Sequence, residues 1–257
     1  MEVSTSKFFS KVVQTEMPYG DKIFKAPFFI RDADVIGAFF LCDYAKARAL
    51  VSPPFQPVKL PFRQGLFAIS CIEYKDTDIG PYNEVVLSIV VQAPGKGFWQ
   101  KVQSLRSIMQ AKFHAYILHL PVTTELSVAG GKGLLNYPKF LSDITFRDTG
   151  AHRICTLRDK ETLEVILELE CPKIKSRRCL LNVMRRYMSV DTYVAGKAES
   201  NATFKMHLPA AGQSFVWPRV NLRLGKHSVA EQLSSLGIGQ QVYQFSVPHC
   251  EGMLVKN

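Results

Sequence analysis

The chain contains no apolar run long enough to cross a membrane as a helix. The longest runs, such as Val85–Val91, have the length of a strand and are interrupted by polar residues, whereas a spanning helix needs about 20 mostly apolar residues. The first residues, Met1–Lys7, also lack the basic stretch followed by an apolar core that marks a signal peptide. We therefore expect a cytoplasmic protein without a membrane partner.

Metal-binding patterns are missing as well. The six cysteines are widely spaced and form no Cys-x-x-Cys pair, and the six histidines include no His-Glu-x-x-His sequence. Zinc sites in proteins draw on such closely spaced ligands. We therefore predict no metal, and we expect the cysteines to be reduced and to be buried as small hydrophobic residues.

Acidic residues are scarce relative to basic ones, with 22 Asp and Glu against 32 Lys and Arg, which gives a formal charge of +10. Much of the excess lies in one stretch without an acid, and its cations are Lys173, Lys175, Arg177, Arg178, Arg185 and Arg186. Such a cluster fits a surface that binds nucleic acid or acidic membranes. It also fits a solvated face that serves an anionic substrate or a subunit contact. No RNA-binding or helix-turn-helix motif accompanies the cluster, so nucleic acid is not an expected partner.

The pattern of the chain is mainly that of β-structure. Segments rich in β-branched and aromatic residues, separated by turn formers, predict strands at Phe28–Phe40, Leu66–Tyr74, Glu84–Gln92, His114–Leu120, Ile154–Leu157, Leu163–Leu169 and Thr203–Leu208. Within Thr162–Glu170 apolar residues alternate with glutamates. Because side chains alternate between the two faces of a strand, this predicts one apolar face formed by Leu163, Val165, Leu167 and Leu169.

Helical patterns are fewer, and they predict short helices at Asp43–Leu50, Lys101–Lys112 and Ser228–Leu236. Asp43 suits the N-cap of the first. Ser228 and Glu231 fit a capping box in the last, which Gly237 would end. Closely spaced strands with few helices predict a mainly β (α+β) fold, an antiparallel barrel or sandwich. We expect one domain over residues 1–257, with residues 1–20 as an N-terminal extension.

The glycine-rich segment Gly130–Phe140 contains the first candidate for chemistry. It is not a phosphate-binding P-loop, because that pattern requires Ser or Thr after its lysine and Lys132 is followed by Gly133. Lys139 is flanked by Tyr137-Pro138 and Phe140-Leu141. A nucleophilic lysine must lose its proton, and burial among apolar groups disfavours the charged form. Taken alone, the same residue also fits a surface lysine beside a turn.

Glu84 is the second candidate, since it lies where the turn Gly80-Pro81 leads into the apolar strand that follows it. A carboxylate at the entrance to a buried strand can be desolvated, which suits it to proton transfer near neutral pH. The alternative is a strand-end glutamate in an ordinary salt bridge.

Together these segments resemble the acetoacetate decarboxylase family. Asp78–Glu84 fits the family's Gly-x-Tyr-x-Glu turn, and the segment from Glu125 through Gly131 to Lys139 matches the family's Glu, Gly and Tyr/Phe-Pro-Lys in order and spacing. A weaker match, Gly225–Gly237, is similar to a C-terminal helix of these proteins. The resemblance covers roughly residues 20–255, which is nearly the whole chain.

The resemblance implies an acetoacetate decarboxylase-like β-barrel with a cavity, homo-oligomers, and no metal or organic cofactor. It implies that Lys139 is the Schiff-base lysine and Glu84 the cavity carboxylate, and it assigns substrate contacts to Arg31, Tyr82, Glu125, Lys132 and Phe140. The implied substrate is a small keto acid. Condensation of the amine with its ketone gives an iminium, which accepts the electron pair left when carbon dioxide departs.

The sequence departs from the family at Phe140, where the decarboxylases usually have a second lysine next to the nucleophile. An adjacent cation is an established activator of the lysine in acetoacetate decarboxylase itself, because like-charge repulsion favours loss of a proton. Without it, desolvation must supply most of the activation of Lys139.

Three functions therefore remain open. The first is decarboxylation of a β-keto acid such as acetoacetate. The second is a Schiff-base lyase that performs aldol or dehydration chemistry on a 2-oxo acid. The third is a non-catalytic protein that reuses the cavity to bind a small molecule, or that binds an acidic partner through the basic residues 173–186.

Overall fold

The computed structural model describes residues 7–93, 111–174, 187–215, 217 and 219–257. Within these ranges the chain is dominated by strands. In chain order they are β1 (Thr15–Tyr19), β2 (Lys22–Ala26), β3 (Phe28–Asp43), β4 (Gln64–Thr77), β5 (Tyr82–Val90), β6 (Lys112–Val122), β7 (Lys139–Asp148), β8 (His152–Asp159), β9 (Val165–Pro172), β10 (Tyr187–Tyr193), β11 (Ala202–His207), β12 (Gly212–Phe215), β13 (Asn221–Leu224) and β14 (Gln241–Lys256). The helices are α1 (Tyr44–Leu50), α2 (Glu125–Leu135) and α3 (Ser228–Ser235), with a 3₁₀ turn at Pro61–Arg63.

Seven of these strands close into a ring. The order around it is β10, β11, β14, β3, β4, β5 and β6, and β6 pairs with β10 to complete it. Neighbours in the ring are antiparallel except β6 and β10, which run parallel. The predicted β-rich barrel is therefore confirmed, with this parallel closure as an addition.

A second sheet of β7, β8, β9 and β13 continues from β6. The pairing of β6 with β7 is parallel, and parallel neighbours need a crossover connection because a tight turn cannot join them. In this chain α2 is that crossover. The connection places α2 directly before β7, which begins at Lys139.

The two faces of β5 belong to two different environments. Val85, Leu87 and Ile89 are fully buried in the main core, which also contains residues of β8, β9 and α3. Tyr82 belongs to a separate cluster with Tyr74. Because side chains alternate along a strand, Glu84 lies on the same face as Tyr82 and points away from the main core.

The predicted helices that can be checked are present. Asp43 caps α1, and its Oδ1 accepts a hydrogen bond of 2.9 Å from the backbone N–H of Lys46. The N-cap of α3 is His227 rather than Ser228, because its Nδ1 accepts from the Val229 N–H. Gly237 follows α3 with φ of +63°, as expected for its end. The helix predicted at 101–112 lies outside the described residues except for its last two, Ala111, which has a positive φ of 51°, and Lys112, which begins β6.

Strand prediction was wrong where the backbone departs from regular alternation. Leu163 has a positive φ of 59° and is exposed, so β9 starts at Val165 and only Leu167 and Leu169 of the predicted apolar face are buried. The long strand β14 was missed because register shifts around Cys250 interrupt its pairing with β3. Of the basic cluster, all but Lys173 lies beyond the residues described, and Lys173 pairs with Asp148.

The cysteines within the described ranges are all buried and free, as predicted, namely Cys42, Cys71, Cys155, Cys171 and Cys250. Burial raises the pKa of Cys42 to about 11 and that of Cys250 to about 12, so these thiols stay protonated at neutral pH. Among the helices of the described residues, none has the length and apolar character that crossing a membrane requires.

Gly37 allows three strands to meet closely at the centre of the barrel wall. It lies in β3 between Ser70 of β4 and Phe245 of β14, and a Cβ there would be 2.4 Å from the carbonyl oxygen of Ile69 and 2.4 Å from the Phe245 ring. A backbone oxygen cannot rotate away. We expect Gly37→Ala to lower the free energy of unfolding by about 1–3 kcal/mol, measured by urea denaturation.

Gly150→Ala is the control, because a Cβ on this turn residue meets no atom within 4 Å. Its effect on the free energy of unfolding should stay within about 0.5 kcal/mol. Equal stabilities of Gly37→Ala and Gly150→Ala would contradict this account of the barrel wall.

Candidate active site around Lys139

Lys139 is buried at the start of β7, with 7% of its surface exposed. Its backbone lies opposite Leu120 in the parallel pairing with β6. Its Nζ donates hydrogen bonds to Glu84 Oε2 at 2.7 Å and to Ser127 Oγ at 2.8 Å. The surface-lysine alternative is therefore wrong: the amine is held inside the protein by β5 on one side and α2 on the other.

The glycine-rich segment is the helix that makes room for this amine. Thr124 caps α2 by accepting a hydrogen bond from the Ser127 N–H at 3.3 Å. A Cβ on Gly131 would lie only 2.3 Å from Lys139 Cδ. The lysine stem thus packs on the bare backbone of α2, which explains a glycine in the middle of a helix despite its cost of roughly 1 kcal/mol relative to alanine.

Glu84 is equally buried, with 6% of its surface exposed. Besides Lys139, it accepts a hydrogen bond of 3.1 Å from the Tyr74 hydroxyl to Oε1. Burial and the nearby Glu84 carboxylate raise the pKa of Tyr74 and of Tyr82 well above the ordinary value. Both phenols therefore stay protonated, and Tyr74 acts on Glu84 only as a donor.

This arrangement suits proton transfer between an amine and a carboxylate. A buried ion pair loses the solvation of both charges, and mutual attraction offsets this loss only in part. The 2.7 Å contact allows the proton to pass directly from Lys139 Nζ to Glu84 Oε2. The products are a neutral amine, which can attack a carbonyl carbon, and a carboxylic acid, which can return the proton.

A cavity opens above Lys139. It measures about 80 Å³ and is partly open to solvent. Its polar lining comes from Lys139, Ser127, Tyr82 and Tyr137, and two exposed lysines, Lys25 and Lys256, lie at its edge. The remaining lining side chains are apolar or small, and they include Met17, Phe24, Phe28, Ile79, Leu126, Leu134, Leu135 and Leu254.

Of the residues predicted from the sequence, the structure brings Lys139, Glu84 and Tyr82 together. The Tyr82 ring centre is 5.6 Å from Lys139 Nζ. Two contacts of this site were not predicted, Ser127 and Tyr74. Ser127 precedes Gly131 by one helical turn, a signal that was lost when the segment was not recognised as a helix. Tyr74 faces Tyr82 across β4 and β5, a pairing that no local motif reveals.

Glu125 and Lys132 were expected at the substrate, and the structure places both on the exposed side of α2. Helical geometry explains this, because Ser127, Gly130 and Gly131 are the buried residues of α2 and share the face toward β7. Glu125 and Lys132 lie on another face and are absent from the cavity lining.

Phe140 also lies away from the cavity. It follows Lys139 in β7, so its side chain points to the opposite face of the strand. There it packs against the main core and meets the His119 ring edge-on at a centroid distance of 6.2 Å. A lysine at this position would leave from the same opposite face of the strand, so the departure from the family removes no group from the cavity lining.

Arg31 is also absent from the cavity lining. Its guanidinium pairs with Asp78 at 2.5 Å. The same carboxylate accepts hydrogen bonds from Gln14 Nε2 at 2.5 Å and from the Phe29 N–H at 2.8 Å, and Gln14 also donates to the Pro27 carbonyl. Arg31 therefore supports a clasp that joins the two ends of the β1–β2 hairpin.

A single group of potential metal ligands occurs within the described ranges, formed by Asp32, Asp34 and His249. Asp34 already contacts Lys75 at 2.7 Å and Arg153 at 3.2 Å. Since these cations compensate its charge, we assign no metal to this group.

Comparisons with known proteins agree on the fold. A family model described as acetoacetate decarboxylase (ADC) matches residues 15–249, and no curated protein matches the chain. The solved acetoacetate decarboxylase of Legionella pneumophila is similar with a TM-score of 0.66 and 14% identity, over 90% of this chain and 86% of that one.

Two further solved structures show the same fold. The enduracididine biosynthesis enzyme MppR, in complex with pyruvate, has a TM-score of 0.59 and 10% identity, over 88% of this chain and 87% of that one. An acetoacetate decarboxylase-like enzyme from Sphingomonas wittichii RW1 has a TM-score of 0.53 and 13% identity, over 90% of this chain and 92% of that one.

The close contact at Gly131 generates a prediction about the position of the amine. In Gly131→Ala the new methyl group displaces the flexible stem of Lys139 rather than the backbone, so the protein should fold while the amine moves away from Glu84. If Lys139 forms an iminium with a keto acid, its adduct formation with 3-oxobutanoate under cyanoborohydride should slow by about 10- to 100-fold, because a misplacement of about 1 Å can cost roughly 100-fold in rate.

Gly133→Ala is the matched control, because its Cβ would meet Tyr19 of β1 instead of Lys139. It should form the adduct at close to the wild-type rate. A wild-type rate in Gly131→Ala, or an equal loss in both variants, would contradict the proposed packing.

Proposed function

Because the chain belongs to the acetoacetate decarboxylase family, we propose that it is a Schiff-base enzyme that decarboxylates a 3-oxo acid. One observation carries this proposal, the buried amine of Lys139 held at 2.7 Å from Glu84 beside a cavity. Members of this family act on small keto acids. Lys139 is the proposed nucleophile and Glu84 the proposed proton acceptor and donor.

The first half of the reaction forms the iminium. Lys139 passes a proton to Glu84, and its neutral amine attacks the ketone carbon of the substrate. Glu84 returns the proton to the former carbonyl oxygen, which leaves as water with a second proton from nitrogen. The positive charge of the ammonium is thereby conserved in the iminium, so no outside acid is consumed.

The second half breaks the carbon–carbon bond. The electron pair of the bond to the carboxylate moves into the iminium, which yields carbon dioxide and a neutral enamine. The enamine carbon takes up one proton that comes from solvent, and water hydrolyses the resulting iminium to release the ketone and Lys139 in its ammonium form. Ser127, at 2.8 Å from the amine, is placed to orient the nitrogen during these steps.

The alternative is a Schiff-base lyase acting on a 2-oxo acid by aldol or dehydration chemistry. In such a substrate the carboxylate adjoins the carbon that is bonded to Lys139, so its charge would lie deep in the cavity. Within the described residues, the cations of the cavity lining other than Lys139 are Lys25 and Lys256, and both are exposed at the edge. A buried carboxylate without a cationic side chain beside it is costly, and this favours the 3-oxo acid, whose carboxylate lies one carbon farther from the carbon bonded to Lys139.

Trapping of the iminium tests the nucleophile. Borohydride reduction in the presence of 3-oxobutanoate should add the mass of the reduced ligand to Lys139, as read by peptide mass spectrometry. Lys139→Arg should carry no adduct, because a guanidinium stays protonated and cannot attack a ketone.

Lys132→Arg is the control for this trapping, since Lys132 is exposed on α2, and it should retain the adduct. If no 3-oxo or 2-oxo acid gives an adduct at Lys139 in the folded wild-type protein, the proposal fails, and the remaining function is a non-catalytic protein that binds ligands in the cavity.

The role of Glu84 makes a separate prediction. Glu84→Gln keeps a hydrogen-bond acceptor for Lys139 but cannot take its proton, so turnover of 3-oxobutanoate should fall by roughly 10²- to 10⁴-fold. Glu125→Gln, at an exposed glutamate of α2, serves as the control and should leave the rate unchanged. Unchanged turnover in a folded Glu84→Gln protein would remove Glu84 from the mechanism.

A further inference from the structure

The cavity lining includes side chains that the reaction of the smallest 3-oxo acids does not require. Beyond the contacts around Lys139, half-buried or buried apolar side chains from three different elements surround the space. Met17 and Phe24 come from the β1–β2 hairpin, Leu126 and Leu134 from α2, and Leu254 from β14. A concave surface of this composition is typical of a site for an apolar group.

The β1–β2 hairpin lies over this space and is fixed in position. It forms a two-stranded sheet separate from the barrel, and it rests on α2 at two glycines. A Cβ on Gly130 would lie 2.6 Å from the Phe24 ring, and one on Gly133 would lie 2.0 Å from the Tyr19 ring, so both rings pack on bare backbone. Phe24 is consequently 5% exposed and fixed at the cavity.

Hydrogen-bonding groups are concentrated at the amine. Lys139 contacts Ser127, and the Tyr82 ring lies beside it. The hydroxyl of Tyr137 is already bonded to Thr192 at 2.7 Å. Apart from the groups at the amine, the charged side chains among the described lining residues are Lys25 and Lys256, which are exposed at the edge. A hydroxyl or carboxylate placed against Met17 and Phe24 inside this edge would lose its hydration, which is unfavourable. A ligand atom in this part of the cavity should therefore be carbon.

We propose that the substrate is a 3-oxo acid whose acyl chain is apolar and longer than a methyl group, and that Phe24 and Met17 bind this chain. The inference rests on the proposed function and specifies its substrate class. The cavity measures about 80 Å³ and is partly open to solvent, so a chain that outgrows the enclosed part emerges into solvent.

A chain-length series tests this substrate class. Initial rates are measured for 3-oxobutanoate, 3-oxopentanoate, 3-oxohexanoate and 3-oxooctanoate. The part of the cavity lined by Met17 and Phe24 is called the apolar chamber. Each methylene group that enters it should raise kcat/KM by about fourfold, and the rise should level off for the longest chain. Phe24→Ala and Met17→Ala should each flatten the series.

Tyr19→Ala is the matched control, because Tyr19 packs the same hairpin on α2 but does not line the cavity. It should preserve the slope of the series. A flat or falling series in the wild-type protein overturns the inference, and so does a loss of slope in Tyr19→Ala equal to that in Phe24→Ala, because looser packing of the hairpin would then account for the effect.

Calorimetry with butanoate, pentanoate and hexanoate separates this inference from the proposed reaction, since these acids have no ketone and form no Schiff base. Their affinity should rise with chain length in the wild-type protein and in Tyr19→Ala, but not in Phe24→Ala. A rise in affinity with chain length, without turnover or adduct formation, would support the apolar chamber and contradict the proposed reaction. Turnover of 3-oxo acids with no dependence on chain length in either experiment would support the proposed reaction and overturn the inference about the apolar chamber.

Discussion

The contact between Lys139 and Glu84 is the interaction on which the site depends. Two ionisable groups, each less than a tenth exposed, meet at 2.7 Å inside the protein. Removing either one leaves an uncompensated buried group, which is strongly destabilising. The same proximity lets a proton move between them without solvent. Both the stability of the site and the proposed chemistry therefore require that the fold bring these two residues together from distant parts of the chain.

The topology of the barrel brings Lys139 and Glu84 together. β5 presents Glu84 on the face opposite the main core, and the parallel pairing of β6 with β7 sets Lys139 beside Leu120. That pairing requires a crossover, and the crossover helix α2 brings Ser127 to the amine. The absence of a side chain at Gly131 lets α2 approach the lysine closely. One segment between two strands thus supplies a hydrogen-bond partner and the space for the nucleophile.

The sequence predicts the elements and residues whose signals are local. Alternation and turn formers located seven strands, and two short motifs that resemble the family indicated Lys139, Glu84 and Tyr82, which the structure brings together. The same local signals do not show which face of an element a residue occupies. Phe140 was assigned to the substrate as the neighbour of Lys139, yet alternation in β7 sends it to the core. Assigning Glu125 and Lys132 to exposed positions required recognising a helix that contains three glycines, all poor helix formers.

Exchange of the ketone oxygen with labelled water tests the Schiff base at Lys139 most directly. Hydrolysis of the iminium by H₂¹⁸O places ¹⁸O in the released ketone. The wild-type protein should therefore catalyse the incorporation of ¹⁸O into butanone, the ketone that 3-oxopentanoate yields, as read by mass spectrometry. Lys139→Arg should show only the uncatalysed background, because its side chain cannot form the iminium. Catalysed release of carbon dioxide from a 3-oxo acid without catalysed oxygen exchange in the ketone would contradict the Schiff-base mechanism.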